Sequence, residues 1–112
     1  MNQIKWDEEY SELFDILRKN RVHMSFYKYG SAKINFGKKY VNALGCLKRC
    51  IDKYQETKNT EYLCDAANYI MFEFMYPSIE NAKFVETDSS GSAGIDGISI
   101  NEIKSFREDI YG

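Results

Sequence analysis

A long apolar stretch between two helix boundary signals is the feature that most constrains this fold. Residues 61–76 read EYLCDAANYIMFEFMY, and their apolar side chains cover most of a helical circumference. Asn59 or Thr60 can cap the start, and Pro77 ends the helix because proline disfavours helical backbone at the residue before it. A helix that is apolar nearly all round is usually surrounded by other elements. We therefore expect residues 61–76 to form the central helix.

The preceding segment, residues 38–57, predicts a second helix. Its apolar residues recur with 4-3-4-3 spacing, which is typical of a seam between packed helices: Tyr40, Leu44, Leu47, Ile51 and Tyr54. Only residues 58–60 separate the two helices. So short a connection favours antiparallel packing.

The chain before residue 38 divides into a predicted helix and an ambiguous insert. Residues 7–20 have an amphipathic pattern, with Asp7 as a candidate cap and with Tyr10, Leu13, Phe14 and Leu17 as the expected buried side. Residues 21–37 are rich in aromatics that alternate with polar residues, and Gly30 and Gly37 are breaks. A short hairpin or an irregular aromatic connection would both produce this pattern.

The C-terminal part predicts a long flexible loop and a last helix. Residues 78–97 become small, polar and glycine-rich, which is typical of a functional or disordered loop. Ser99 and Glu102 then form a capping-box pattern, and Ile103, Phe106 and Ile110 mark the buried side of the last helix. The predicted fold is therefore mostly α. It is a single domain over residues 1–112, a small bundle of about four helices with a short aromatic hairpin or irregular insert.

Charge is distributed very unevenly along the chain. Residues 18–58 hold eleven cations and two acids, whereas residues 1–17 carry a net charge of −4 and residues 59–112 a net charge of −7. Such segregation can steer an anionic partner toward one face, but it can also cancel internally between neighbouring elements. The candidate binding residues combine cations with aromatic rings that can stack on unpaired bases: Tyr27, Lys28, Tyr29, Lys33, Lys38, Lys39, Arg49 and Lys53.

Patterns typical of a catalytic or metal site are weak. Three cysteines and the single histidine, His23, do not match the four-ligand spacing of a zinc site, and we interpret the thiols as helix-packing residues. A magnesium-dependent nucleotide hydrolase centred on Asp65 and Glu73 is an alternative, but it lacks a second acidic pair. Otherwise Asp65 and Asn68 are polar positions bonded to a neighbouring element. We predict no cofactor, no metal and no enzymatic activity.

Residues 67–77, ANYIMFEFMYP, followed by NAKFVETDSSGSAGIDG, resemble a family of small uncharacterised bacteriophage and prophage proteins. The family pattern is Ala-Asn-aromatic-x-Met-x-Glu-Phe-Met-x-Pro, then a threonine-containing turn and Ser-Pro-Gly. The match covers about a quarter of the chain and departs from the pattern at Ala93, where proline is usual. No activity is assigned to that family, so the resemblance implies a phage context and transfers no catalytic residue.

The functional hypothesis combines that context with the charge map. Small phage proteins often act by stoichiometric binding, so we expect an inhibitor of a host defence nuclease or nucleoprotein, similar to an anti-CRISPR protein. Direct nucleic-acid binding is the alternative, besides the hydrolase. The expected location is the host cytoplasm, because no apolar run approaches the roughly 20 residues that cross a membrane. The apolar helix faces could serve an intrachain core or a homodimer.

Overall fold

The computed structural model describes residues 3–88 and 90–94. Over these residues the chain is mostly helical and contains no strand, which confirms the predicted fold class. The elements are α1 (Trp6–Glu9), α2 (Glu12–Tyr29), α3 (Ala32–Asn35), α4 (Ala43–Thr57) and α5 (Glu61–Met75). Backbone contacts divide the chain into two units, Met1–Ala82 and Lys83–Gly112, and all five helices belong to the first.

The predicted central helix is confirmed as α5. It packs extensively against α4 and also against α2, and it holds most of the buried side chains in the described residues: Cys64, Ala66, Asn68 and Phe72. The link from α4 to α5 is tight because Lys58 takes left-handed backbone angles and caps α4 through its N–H on the Tyr54 carbonyl. The end of α4 at Thr57 and the end of α5 before Pro77 agree with the sequence signals.

The predicted hairpin or irregular insert at residues 21–37 is wrong for its first half. Helix α2 continues without a break through Tyr29, so the alternation of apolar and polar residues in this stretch does not correspond to a strand. Nothing from Arg21 to Tyr29 breaks a helix, and packing against α5 selects the helical conformation. The helix ends at Gly30, whose φ of 90° is accessible chiefly to glycine.

Both predicted helix starts also shift toward better caps. The Ser11 side chain accepts the N–H of Phe14 at 3.0 Å and starts α2, whereas Asp7 lies in the separate turn α1. Asn42 caps α4 by accepting the N–H of Gly45 at 3.0 Å, so this helix begins at Ala43 instead of residue 38. Side-chain acceptors for the first N–H groups therefore decide where these helices begin.

A short turn joins α3 to α4 and holds Phe36 against α5. The Phe36 ring stacks on Phe72 with their centroids 4.6 Å apart, and it meets Tyr69 edge to face at 6.1 Å. Gly37 is required here because a Cβ at this position would lie 2.1 Å from the Lys33 carbonyl oxygen. The turn thus fixes the aromatic wall of the cavity described below.

The inward side of α2 differs from the predicted one. Phe14 is half-buried as expected, but Tyr10, Leu13 and Leu17 are exposed.

In the second unit, residues 83–88 are non-helical, and the Asp88 carboxylate accepts the N–H groups of Ser90 and Gly91 in a tight turn. The Ser90 hydroxyl also donates to this carboxylate and is the main reason that the pKa of Asp88 is lowered, and the two backbone N–H groups lower it further. The predicted last helix lies outside the described residues.

Candidate binding surface and cavity

The eight basic and aromatic residues singled out from the sequence are all exposed. Tyr27, Lys28 and Tyr29 form the last turn of α2, and Lys33 lies on α3. The others follow along the chain, two in the turn before α4 and two on α4 itself: Lys38, Lys39, Arg49 and Lys53. We call these eight residues the basic-aromatic group.

Few cations of this group are paired with acids. Lys53 lies 3.5 Å from Glu56, and Lys39 donates its ammonium to the Pro77 carbonyl at 2.7 Å. The Lys28 ammonium lies 5.0 Å from the centroid of the Tyr29 ring, a cation–π distance. Within residues 3–88 and 90–94, the other cations of the group have no carboxylate within 4 Å.

Internal cancellation of the basic segment is only partial. Of its eleven cations, three form ion pairs in the described residues: Arg18 with Asp15, Arg21 with Glu61 and Asp65, and Lys53 with Glu56. The remaining eight have no acidic partner there, and all eight are exposed lysines or arginine. The described structure therefore leaves most of this positive charge open to outside contacts.

A cavity of about 420 Å³ lies between α2, α3 and α5. Aromatic rings form much of its wall, among them Phe26, Tyr29, Phe36 and Phe72, while Arg21, Asp65 and Asn68 supply polar groups. An apolar hollow of this size with a few polar groups is typical of small-molecule sites.

The polar end of the cavity is an ion pair between α2 and α5. The Arg21 guanidinium donates to both carboxylate oxygens of Asp65, with Nε–Oδ1 at 2.5 Å and Nη2–Oδ2 at 3.1 Å. Glu61 adds a carboxylate oxygen 3.4 Å from Arg21 Nη1. These interactions raise the pKa of Arg21, and the hydrogen bond that Arg21 donates to Asp65 has the largest effect. Arg21, Asp65 and Glu61 together carry one excess negative charge, so this end does not favour an anion.

Asn68 is the buried polar residue beside this pair. Its Nδ2 donates to the Arg18 carbonyl oxygen at 2.9 Å, which ties α5 to α2. Its Oδ1 has no hydrogen-bond partner among the residues that the structure describes. The interpretation of Asp65 and Asn68 as polar positions bonded to a neighbouring element is thus confirmed.

The three cysteines are free thiols near the α4–α5 interface. Cys64 is buried, while Cys46 and Cys50 are half-buried beside Tyr69. Burial raises the pKa of both Cys50 and Cys64, so these thiols stay protonated at neutral pH. Burial, together with the neighbouring thiols, also raises the pKa of Tyr69 to about 12.

The carboxylates of the magnesium alternative have other partners. Asp65 is held by Arg21, and one oxygen of Glu73 accepts the N–H and the hydroxyl of Ser78 at 2.6 and 3.0 Å. No group of three or more histidine, cysteine or carboxylate side chains that could hold a metal occurs among the residues the structure describes. The geometry gives this alternative no support.

The cavity itself was not predicted from the sequence. Arg21 was counted only as one of many cations, and Phe36 was assigned to the aromatic insert. Arg21 on the predicted insert and Asp65 on the central helix were the available signals, but sequence alone does not pair them.

Comparison with protein-family models, curated proteins and solved structures finds no significant match to this chain. Every helix in the described part of the chain is too short or too polar to cross a membrane.

Proposed function

We propose that this chain is a phage-type accessory protein that acts by stoichiometric binding, inhibiting a host defence nuclease or nucleoprotein in the manner of an anti-CRISPR protein. The observation that supports this is the open charge of residues 18–58. Eight of the eleven cations there have no acidic partner among the described residues. The contact surface is the basic-aromatic group.

Electrostatics give such a surface a clear role. Unpaired lysines attract an anionic patch over a range of about 8–10 Å at physiological salt and accelerate encounter. Lys28, Lys33 and Lys38 lie on consecutive elements within eleven residues of chain, so one partner surface can meet them together. A nucleoprotein offers both phosphates and acidic side chains to such a group.

Binding accounts for the described residues better than catalysis does. The single imidazole, His23, is exposed and lies 5.1 Å from the Tyr27 ring, measured between ring centroids. Asp65 and Glu73 are held by Arg21 and Ser78. A binding protein needs none of these groups to be reactive.

The test is to isolate a stoichiometric partner from bacterial host lysate with the tagged chain, and then to titrate the purified partner. We expect Lys28→Glu combined with Lys33→Glu to weaken that binding at least about tenfold. The matched control is Lys19→Glu combined with Lys48→Glu, which reverses two exposed cations outside the group and should change binding less than about threefold. Failure to recover any stoichiometric partner, or equal effects of the two variants, would overturn the proposal.

Direct nucleic-acid binding is the second candidate function, and one observation favours it. The Tyr29 ring is exposed and carries the Lys28 ammonium over its face, so a stacking ring and a phosphate ligand lie together. Fluorescence anisotropy with a labelled single-stranded oligonucleotide should show binding that weakens with salt. Tyr29→Ala should weaken it by about 1–3 kcal/mol, whereas Phe84→Ala, which also removes an exposed ring, should have no effect. No association at low salt would eliminate this candidate.

A further inference from the structure

Helix α2 has a second apolar stripe that is exposed along its length in the described structure. Five residues recur along it with 4-3-4-3 spacing, and we call them the outer seam: Leu13, Leu17, Asn20, Met24 and Tyr27. Its four large residues are 65%, 45%, 64% and 76% exposed, in chain order, and Asn20 is exposed as well. This spacing is the repeat with which helices pack side by side.

The outer seam is more apolar than the side of α2 that faces α5. The inward side contains Phe14, Arg18, Arg21 and Val22, and its two arginines make ion pairs. A helix that packs on one side only normally shows charged residues on the other. Here the exposed part of α2 carries Glu12 and Lys19, but beside them lies the continuous apolar stripe of the outer seam, which indicates a missing partner.

We infer that the outer seam packs antiparallel against the outer seam of a second copy of this chain, with a two-fold axis at Asn20. The seam is nearly symmetric about that residue: Leu13 and Tyr27 each lie seven residues from it, Leu17 three before it and Met24 four after it. An antiparallel copy places Leu13 opposite Tyr27 and brings Leu17 within one residue of the position opposite Met24, so each large side chain lies beside one from the other copy. Asn20 then meets itself, and two amides can each donate to and accept from the other. Such self-complementarity is what an isologous dimer contact requires.

The available area agrees with a modest dimer. The four large seam residues and the flanking Ile16 are each between 45% and 76% exposed. At about 200 Å² for a large apolar residue, they offer about 600 Å² per copy and about 1,200 Å² in total, the lower limit of stable specific interfaces. The dimer should therefore dissociate on dilution.

The exposed apolar residues of α5 are the natural control. Ile70 and Phe74 are 55% and 69% exposed, but they span a single turn and lack a central polar residue. A short patch of this kind offers too little area for a dimer by itself.

The experiment is sedimentation equilibrium of the full chain over a range of concentrations. We expect a mass of twice 13.1 kDa at high concentration, with dissociation on dilution. Leu17→Lys combined with Met24→Lys should raise the dissociation constant at least about tenfold, because each places an ammonium opposite apolar side chains. The control pair, Ile70→Lys with Phe74→Lys, should leave it unchanged. Circular dichroism checks that every variant is folded.

Asn20→Asp gives a readout that a general loss of structure would not. Two carboxylates would face each other across the two-fold axis, so the dimer should weaken at neutral pH and recover as the pH falls below about 4. A monomeric full chain at the highest concentration would overturn the inference, as would an equal effect of the α5 control or an Asn20→Asp dimer insensitive to pH. Tyr27 also belongs to the basic-aromatic group, so dimerisation would cover that ring, whereas Lys33 and Lys38 lie outside α2.

Discussion

Truncating either partner of the ion pair between Arg21 and Asp65 should lower the free energy of unfolding by about 2 kcal/mol. Removing one partner of a fully buried pair costs about 3–5 kcal/mol, whereas exposed pairs contribute about 0–1 kcal/mol. The two side chains are 33% and 23% exposed and share two hydrogen bonds, so this pair lies between those limits. Arg21→Met and Asp65→Leu should each lower the free energy of unfolding by about 2 kcal/mol.

The double variant, Arg21→Met with Asp65→Leu, should recover most of that loss. Apolar side chains of similar length replace both charges, so the one carboxylate that loses its cation is that of Glu61, which is exposed and stays solvated. We expect its free energy of unfolding to lie within about 1 kcal/mol of the native value, which makes the coupling energy at least about 3 kcal/mol.

Urea unfolding of all four proteins, followed by far-ultraviolet circular dichroism, measures this coupling. Lys53→Met, which breaks the exposed pair with Glu56, is the control and should change the unfolding free energy by no more than the experimental error. The reasoning is refuted if each single variant loses less than about 0.5 kcal/mol, or if the double variant loses the sum of the two.

Two further predictions concern α5. Asn68→Leu should change the free energy of unfolding by less than about 1 kcal/mol, because it removes a buried amide whose Oδ1 has no partner among the described residues. Asn68→Asp should lower it by more than about 2 kcal/mol, because a carboxylate cannot donate a hydrogen bond to the Arg18 carbonyl. Equal urea midpoints for the two variants would contradict this. The raised pKa of Tyr69 stabilises the fold fully below about pH 10, the ordinary tyrosine value, and this contribution is lost as the pH rises through about 12. Stability should therefore fall more steeply between these pH values in the native chain than in Tyr69→Phe, and parallel curves in urea titrations would contradict the assignment.

Local signals in the sequence were enough to predict the helical class and the pairing of α4 with α5. The apolar run of residues 61–76 and Pro77 specify a buried helix and its end. Because only three residues separate Thr57 from Glu61, α5 must fold back beside α4. These features depend on neighbours in sequence, so they can be read without the fold.

The start of α4 and the course of residues 21–29 could not be predicted in the same way. The apolar spacing begins at Tyr40, but the helix starts at Ala43 because the Asn42 side chain caps its first N–H groups. Residues 21–29 have an alternation that fits a strand, yet helical backbone allows Arg21 to reach Asp65. Contacts with α5 therefore outweigh the local pattern.

The candidate site shows the same division. The sequence determined by itself that residues 18–58 are strongly basic and that lysines are interleaved with aromatic residues there, because composition and order are local properties. Only the tertiary structure decided which cations are neutralised, since Arg21 and Asp65 are 44 residues apart and meet only when α2 lies on α5. The tertiary structure alone also decided that α2 turns its arginines inward and its leucines outward. An amphipathic pattern in the sequence indicates which residues share a helix face, but which face is buried depends on the element that packs against it.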